Sequence, residues 1–180
     1  HEKCRLNYQT FQEMDVLKQA PNNRIPPMKT DKKAIFVYLS MEDSSYSLGK
    51  AAYRMSRRPQ LGFQYMVSVL EAAGIPADIW DQSITPFSHD ELIQQLREAP
   101  ALFVGFYSAD AMRNKLVSCI ATIKQAAPEI PVVVGGPAAT LDPQPYLEAG
   151  TDIVAIGEGE VTVLEICEYL LGKQELATVN

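Results

Sequence analysis

The chain has 180 residues, 47% of them hydrophobic and 21% charged, which is the composition of an ordinary globular protein. Its 16 Lys and Arg against 22 Asp and Glu give a net charge of −6, and this acidic balance argues against a general nucleic-acid surface. The sequence contains no apolar run close to the roughly 20 residues that cross a bilayer.

The three cysteines, Cys4, Cys119 and Cys167, are far apart and form no CxxC pair. Cys119 and Cys167 fall on the apolar faces of predicted helices, where a thiol behaves as a small core residue. The sequence offers no recognisable ligand set for zinc or an iron–sulfur cluster. This cysteine usage is typical of the reducing cytoplasm, and we expect the protein there.

Residues 1–33 predict an extension with a linker, and residues 34–180 predict one α/β domain. Within the extension, apolar residues recur every three positions and indicate a helix over about Leu6–Gln19: Tyr8, Phe11, Met14 and Leu17. Pro21 ends this pattern. The helix either packs on the domain, the interpretation we favour, or contacts a neighbouring domain. Because His1 is not preceded by an initiator methionine, we expect the chain to be part of something longer.

From residue 34 onward, short apolar runs alternate regularly with helical patterns. The predicted strands are residues 34–39, 77–81, 101–106, 131–135 and 152–156. A strand whose both faces are covered reads as a continuous apolar run, and short βα connections require parallel strands with right-handed crossovers. The expected fold is a doubly wound, five-stranded parallel sheet, flavodoxin-like (Rossmann-like), in strand order 2-1-3-4-5.

Between these strands the sequence predicts helices with definite buried faces. The first begins near Leu61 and ends at Gly74, with its expected buried residues being Leu61, Tyr65, Met66, Val69, Leu70 and Ala73. Ser88 and Glu91 match a capping box at the start of the second helix. The third is expected to bury Met112, Leu116, Cys119, Ile120, Ile123 and Ala127. A short proline-started helix over 142–150 and a last helix over 161–171 complete the pattern.

In such a sheet the loops that leave the carboxyl ends of the strands lie along one edge, where open α/β sheets bind ligands. These loops are residues 40–45, 107–110, 135–140 and 157–160. They are rich in glycines, hydroxyls and free helix amides and poor in positive charge, which suits a flat, neutral, hydrogen-bonding ligand. A tight βα turn would also explain each glycine alone; their joint position on one edge favours binding.

Several common sites are disfavoured. The sequence lacks a GxxxxGK[ST] loop, and Gly157-Glu-Gly159 lacks the third glycine of a dinucleotide fingerprint and follows the wrong strand. A phosphoacceptor receiver domain fails at two of its three expected positions, since strand three leads into Tyr107-Ser108 and strand five into Gly157-Glu158. Histidine occurs only at His1 and His89, and no serine has a recognisable histidine partner for a hydrolase triad. We therefore expect no catalytic residues in this chain itself.

Two motifs carry a family resemblance that covers roughly residues 34–172. Val132–Thr140 reads VVVGGPAAT and Asp152–Thr162 reads DIVAIGEGEVT. They resemble the cobalamin (vitamin B12)-binding domains that precede the catalytic barrel in radical S-adenosylmethionine enzymes, which typically show Gly-Gly-Pro-His-x-Thr and Gly-Glu-Gly-Glu-x-Thr at these places. Leu61–Gly74 is similar to the first helix of those domains, and Val104–Ser108 to their third strand and its serine-bearing turn.

The resemblance implies that cobalamin lies on the carboxyl edge of the sheet, with its nucleotide tail tucked between sheet and helices. The residues implied to contact it are Ser40, Met41 and Glu42 below the corrin, Tyr107, Ser108 and Ala109 at the tail or ring, Gly135, Gly136 and Pro137 beside the tail, and Gly157, Glu158 and Gly159 on its other side. On this basis Gly136→Trp is expected to abolish binding and leave the fold intact. An iron–sulfur cluster and S-adenosylmethionine are expected only in a catalytic domain beyond Asn180.

The sequence also departs from the family pattern. The Asp-x-His-x-x-Gly motif, whose histidine ligates cobalt in the best-known cobalamin domains, is absent, as it is from many radical S-adenosylmethionine relatives. Ala138 stands where the family usually has histidine, and the CxxxCxxC cluster motif is missing. The implied function is a module that holds the corrinoid without a protein histidine and presents it to a neighbouring catalytic domain of a methyltransferase or related enzyme. A cofactor-free scaffold domain of the same family and a different flavodoxin-like binding or signalling module remain alternatives.

Overall fold

The computed structural model describes residues 28–40, 60–98, 100–157 and 159–175, together with the backbone of Cys4–Arg5; the side chains of Glu160 and Val161 are outside this description. The helix predicted over Leu6–Gln19 lies outside the described residues, as do Met41, Glu42 and Glu158.

The described strands form one all-parallel sheet. In chain order they are β1 Cys4–Arg5, β2 Lys33–Tyr38, β3 Ala77–Asp81, β4 Ala101–Tyr107, β5 Val132–Gly135 and β6 Ile153–Val154. The order across the sheet is β3-β2-β4-β5-β6-β1. Strands β2 to β6 therefore confirm the predicted five-stranded order 2-1-3-4-5. The two-residue β1, which the sequence analysis did not predict, extends the sheet by pairing with β6.

Helices cover both faces of the sheet, as expected for a doubly wound fold. In chain order they are α1 Leu61–Ala72, α2 His89–Glu98, α3 Arg113–Ala126, α4 Pro137–Leu141, α5 Gln144–Glu148 and α6 Gly159–Leu170. Helices α1 and α6 contact each other on one face, whereas α3 contacts both α2 and α5 on the other. The five-residue α4 is an addition to the prediction, which treated 135–140 as a loop.

Several local predictions are confirmed. The expected face of α3 and its flanks is buried, from Met112 to Ala127. The capping box forms, because the Ser88 amide donates to the Glu91 carboxylate (2.7 Å) and the Glu91 amide donates to Ser88 Oγ (3.2 Å). Cys119 and Cys167 are buried free thiols, and burial raises the pKa of each to about 12. These thiols are core residues without nucleophilic character at neutral pH.

The domain prediction, with a boundary between residues 33 and 34, is not tested by these observations. Met28 nevertheless belongs to the packed core of the α/β domain, since its side chain is 1% exposed. Its amide donates to the carbonyl of Ala73 at the end of α1 (2.7 Å). The chain therefore enters the domain beside the carboxyl-terminal end of that helix.

The predicted buried face of α1 was partly wrong. Leu61 and Tyr65 are 65% and 62% exposed, whereas Leu70 and Ala73 are buried as predicted. The helix also buries Phe63, which the prediction did not include. The sequence contains two overlapping apolar stripes at helical spacing, so periodicity alone does not decide which one faces the sheet. The Phe63 ring packs against Phe36 of β2 with ring centroids 5.1 Å apart, and this aromatic contact fixes the rotation of the helix.

Gly105 in β4 leaves room for two aromatic rings. A Cβ at this position would lie 3.1 Å from both Phe103 Cε2 and Phe36 Cδ1. Phe36 in turn packs edge-on against Phe103, with centroids 5.7 Å apart and ring planes at 83°. An added methyl group therefore requires these rings to shift by a few tenths of an ångström from their present contacts.

We therefore expect Gly105→Ala to lower the free energy of unfolding by about 1–3 kcal/mol, the usual cost of overpacking a core. Urea denaturation measures this change. The matched control is Gly62→Ala in α1, where an added Cβ meets nothing within 4 Å. That variant should be more stable by about 0.5–1 kcal/mol, the helix-propensity difference between the two residues. A Gly105→Ala protein as stable as wild type would contradict the packing described for Phe36.

Candidate functional site

Small residues make a hollow on the sheet face that α1 and α6 cover. Alternate strand residues point to the same face, so Gly105 and Tyr107 of β4 share it with Val133 and Gly135 of β5. The strand register places Gly105 opposite Val133 and Tyr107 opposite Gly135. A Cβ built on Gly135 would lie 3.7 Å from the Cβ of Ala155, which shows that these two positions border the same space. Because Gly105, Gly135 and Ala155 contribute little or no side-chain volume, a space remains between the strands and the helices.

A cavity of about 250 Å³ results between the sheet and helices α1 and α6; we refer to it as the interlayer cavity. On the sheet side it is lined by Phe36, Phe103, Gly105, Phe106, Tyr107, Val133, Gly135 and Ala155. On the helix side it is lined by Gln60, Gly62, Phe63, Met66, Gly159, Thr162, Val163 and Ile166, with Gly136 and Gly157 from the loops. Pockets that enclose a whole drug-sized ligand hold about 300–1,000 Å³. The interlayer cavity therefore suits one heterocyclic group and excludes a macrocycle.

The turn after β5 approaches the end of β4 more closely than a side chain would allow. Gly136 has φ +102°, and a Cβ there would lie 2.7 Å from the Ser108 carbonyl oxygen and 3.0 Å from its amide nitrogen. The expectation that Gly136→Trp would leave the fold intact is therefore wrong. Both the left-handed backbone and the contact with the Ser108 backbone require glycine, so bulk at this position would displace the turn itself.

The Ser108 hydroxyl holds the same turn. It is fully buried, donates to the Gly135 carbonyl (2.8 Å) and accepts a hydrogen bond from the Ala139 amide (2.8 Å). The Ser108 amide also donates to the Gly135 carbonyl (2.7 Å). One side chain thus joins the end of β4 to β5 and to α4. Its role in this structure is to shape the edge of the cavity from outside.

The other predicted site residues lie at different distances from the cavity. Tyr107, Gly135, Gly136, Gly157 and Gly159 line it. Ala109 is partly buried and packs on the core of this face, and Pro137 is exposed at the start of α4. The helix residues that complete the cavity, such as Phe63 and Ile166, were missed. The signal available for them was the GEGEVT motif, which continues into the helix as Thr162, Val163 and Ile166.

Ser40 lies at the end of β2 and is buried in a polar cluster. Its amide donates to Gln82 Oε1 (2.8 Å), and its carbonyl accepts a hydrogen bond from Lys115 Nζ (2.9 Å). Lys115 Nζ also donates to Gln82 Oε1 (3.0 Å). His89 begins α2 near this lysine, and the pKa of its imidazole is lowered first by burial and then by the charge of Lys115. The neutral form of this histidine is therefore favoured.

A second cation near the strand ends is also engaged within the protein. Arg113 at the start of α3 contacts Asp142 (2.6 Å) and Asp110 (3.1 Å), and the hydrogen bond to Asp142 raises the pKa of the guanidinium. With Lys115 bound to Ser40 and Gln82, both charges are committed to protein oxygens. Among the residues that the structure describes, these two cations are therefore not free to bind a polyphosphate.

Two further findings concern the part of the chain that the structure describes. Within it, no group of three or more His, Cys, Asp or Glu side chains is arranged to hold a metal ion. Among the same residues, no helix is both long and apolar enough to cross a membrane.

Comparison with known proteins gives a family and a set of similar folds. A model of the B12 binding domain matches residues 52–167. The cobalamin-dependent S-adenosylmethionine radical enzyme OxsB, solved with aqua-cobalamin and S-adenosylmethionine, is similar with a TM-score of 0.70 at 15% identity, over 83% of this chain and 20% of that chain. The radical S-adenosylmethionine methyltransferase TsrM from Kitasatospora setae, solved with cobalamin and a [4Fe-4S] cluster, gives 0.67 at 14% identity, over 83% and 26%.

A CheY-like protein, tadZ from Pseudomonas aeruginosa PAO1, is similar with a TM-score of 0.51 at 18% identity, over 81% of this chain and 97% of that chain. At these identities the likenesses show a shared fold. The present chain spans only 20–26% of the two radical enzymes, and no curated protein matches it.

The hydrogen bonds of Ser108 predict the effect of removing its hydroxyl. Ser108→Ala leaves the buried Ala139 amide without its acceptor, which costs about 1–3 kcal/mol of unfolding free energy. Chemical denaturation measures the loss. Ser118→Ala, on the exposed side of α3, is the matched control and should change stability by no more than about 0.5 kcal/mol. Equal effects of the two substitutions would show that the Ser108 hydroxyl does not hold the turn.

Proposed function

Because the chain belongs to the B12-binding-domain family, we propose that it is the cobalamin-binding module of a larger radical S-adenosylmethionine enzyme, a methyltransferase or a related one. The nucleotide tail of cobalamin enters the interlayer cavity, and the corrin ring rests on the carboxyl edge of the sheet. The module then presents the corrinoid to a neighbouring catalytic domain. The observation that carries this proposal is the interlayer cavity itself, which is lined by residues of both family motifs.

The residues that line the cavity fit this cofactor. Its volume of about 250 Å³ matches a nucleotide base better than a macrocycle, so the larger part of the cofactor must stay outside. Gly135 and Gly136 line the cavity without adding side chains to it, as a narrow tail needs. The ring carries neutral amides, and an edge whose Lys115 and Arg113 are bound to protein oxygens suits a neutral ligand. Bound cobalamin supplies the reactive metal; this chain binds and orients it.

The module is proposed to hold the corrinoid without a protein histidine. Histidine occurs only at His1 and His89 in the whole chain. His89 begins α2, which packs on the face opposite the interlayer cavity, and its neighbours include Lys115. Tyr107 and the glycine turns that border the cavity offer no strong metal ligand. The lower face of the corrin would therefore meet protein without an axial imidazole.

Two alternatives are less well supported. A receiver-like signalling module needs a carboxylate at the end of the strand equivalent to β4, where this chain has Tyr107 and the buried Ser108. The similarity to the CheY-like protein therefore extends to the fold and not to that site. A cofactor-free scaffold domain has no need for an open cavity between its layers, and large side chains at Gly135 or Ala155 would close it at little cost. The cytoplasmic location stays part of the proposal, supported by the buried free thiols.

The first test compares cobalamin with cobinamide, which has the corrin ring but lacks the nucleotide tail. We expect hydroxocobalamin to be retained through desalting, with its corrin absorbance, and cobinamide to bind at least about tenfold more weakly, a difference of about 1.4 kcal/mol. Ala155→Leu should weaken the binding of cobalamin by the same factor, because the added carbons occupy the cavity. Ala121→Leu adds the same group to the exposed side of α3 and is the matched control.

Retention of cobinamide as tight as that of cobalamin would contradict the placement of the tail. The same conclusion would follow if Ala155→Leu bound cobalamin normally while keeping its fold, as judged by circular dichroism. Failure of the wild-type chain to retain either corrinoid would reject cobalamin binding and favour the scaffold alternative.

The second test concerns the axial ligand. Cob(II)alamin bound to the protein should give an electron paramagnetic resonance spectrum without the nitrogen splitting that an axial imidazole or benzimidazole produces. The reason is that the base is expected in the cavity and the chain offers no histidine in its place. His89→Ala should leave the spectrum unchanged. A nitrogen-split spectrum that collapses in His89→Ala would overturn the assignment.

A further inference from the structure

Apolar side chains and glycines make up most of the lining of the interlayer cavity. Resting on the proposed function, we infer that the cavity selects among corrinoids by their lower base, and that it favours a benzimidazole over a purine such as adenine. A benzimidazole is an apolar bicycle with one free ring nitrogen. Adenine has similar size and shape but carries an amino group and additional ring nitrogens, which are fully solvated in water.

Most of the side chains that line the cavity are apolar. Phe36, Phe63 and Phe103 contribute a cluster of aromatic rings with centroid distances of 5.1 and 5.7 Å. Val133, Val163 and Ile166 continue the lining and are all buried. Such a surface makes favourable edge and face contacts with an aromatic base and gains from the methyl groups of dimethylbenzimidazole.

The backbone amides and carbonyls of the cavity floor are also not available to hydrogen bond a ligand. The floor is formed by β4 and β5, both of which lie inside the sheet. Strand β4 pairs with β2 on one side and with β5 on the other, and β5 also pairs with β6. The amides and carbonyls of Gly105 and Val133 therefore belong to a ladder with neighbours on both sides, and a purine entering the cavity finds no free strand edge to bond.

Three polar side chains line the cavity: Gln60, Tyr107 and Thr162. Gln60 immediately precedes α1, and Tyr107 ends β4. Thr162, in the first turn of α6, is buried and already engaged in an interaction within the protein. The Gln60 amide and the Tyr107 hydroxyl can each meet one polar group, whereas adenine presents an amino group and three further ring nitrogens, so part of the purine edge stays without partners. A buried polar group that loses its hydrogen bonds to water weakens binding by about tenfold or more.

The experiment measures dissociation constants of the full chain for three cobalt corrinoids: cobalamin, the analogue whose lower base is adenine, and cobinamide. We expect cobalamin to bind at least about tenfold more tightly than the adenine analogue. Val133→Thr introduces a hydroxyl into the cavity at nearly constant volume and should bring the two affinities closer together. Val134→Thr is the matched control, because Val134 is equally buried on the opposite face of the same strand. In Val134→Thr, the ratio of the dissociation constants for the adenine analogue and cobalamin should equal that of wild type.

Each outcome decides the inference. Equal affinity for cobalamin and the adenine analogue, with cobinamide weaker, would confirm the tail-binding function and overturn base selection. Equal binding of all three would overturn both the tail placement and the inference, and binding of none would reject the proposed function itself. If Val133→Thr does not fold, Val163→Thr places the hydroxyl on the helix side of the cavity. If a folded Val133→Thr or Val163→Thr protein keeps the wild-type ratio of affinities for cobalamin and the adenine analogue, the apolar lining does not determine the preference for the base.

Discussion

The binding properties of this domain depend on the distance between the sheet and helices α1 and α6. Phe36, Phe63 and Phe103 hold the two layers apart near the middle of the strands, while glycine and alanine at the strand ends leave the space beside them unfilled. Protein interiors normally close such gaps, because unfilled volume forfeits dispersion contacts. The gap persists here because the rigid aromatic rings keep the sheet and the helices apart. Gly136 and Ser108 also fix the turn that borders it.

In this arrangement, ligand binding does not depend on charged side chains. Among the described residues, the cations Lys115 and Arg113 near the strand ends are bound to protein oxygens, and most of the cavity lining is apolar. Affinity must then come from burying an aromatic group and from the shape of its entrance. On the proposed function, this chain contributes position and environment, and the bound cofactor supplies the reactive metal.

The sheet could be predicted from the sequence because buried parallel strands are continuous apolar runs, and the glycine-rich ends of β5 and β6 marked the edge that borders the cavity. The helix residues that line the cavity could not be predicted from the sequence in this way. The rotation of α1 depends on the contact between Phe63 and Phe36, which are far apart in the chain, and Leu61 and Tyr65 formed an equally periodic stripe. Gly136 was predicted as a cofactor contact and lines the cavity, yet only the 2.7 Å approach to Ser108 shows that its first role is in the turn.

A crystal structure of the chain grown with cobalamin tests the central claim most directly. The account predicts electron density for the nucleotide base between the sheet and helices α1 and α6, within van der Waals contact of Phe63 and Val133, with the corrin over the strand ends. Density that places the base outside, folded under the ring, with the space between the layers closed by Phe36 and Met66, would contradict it.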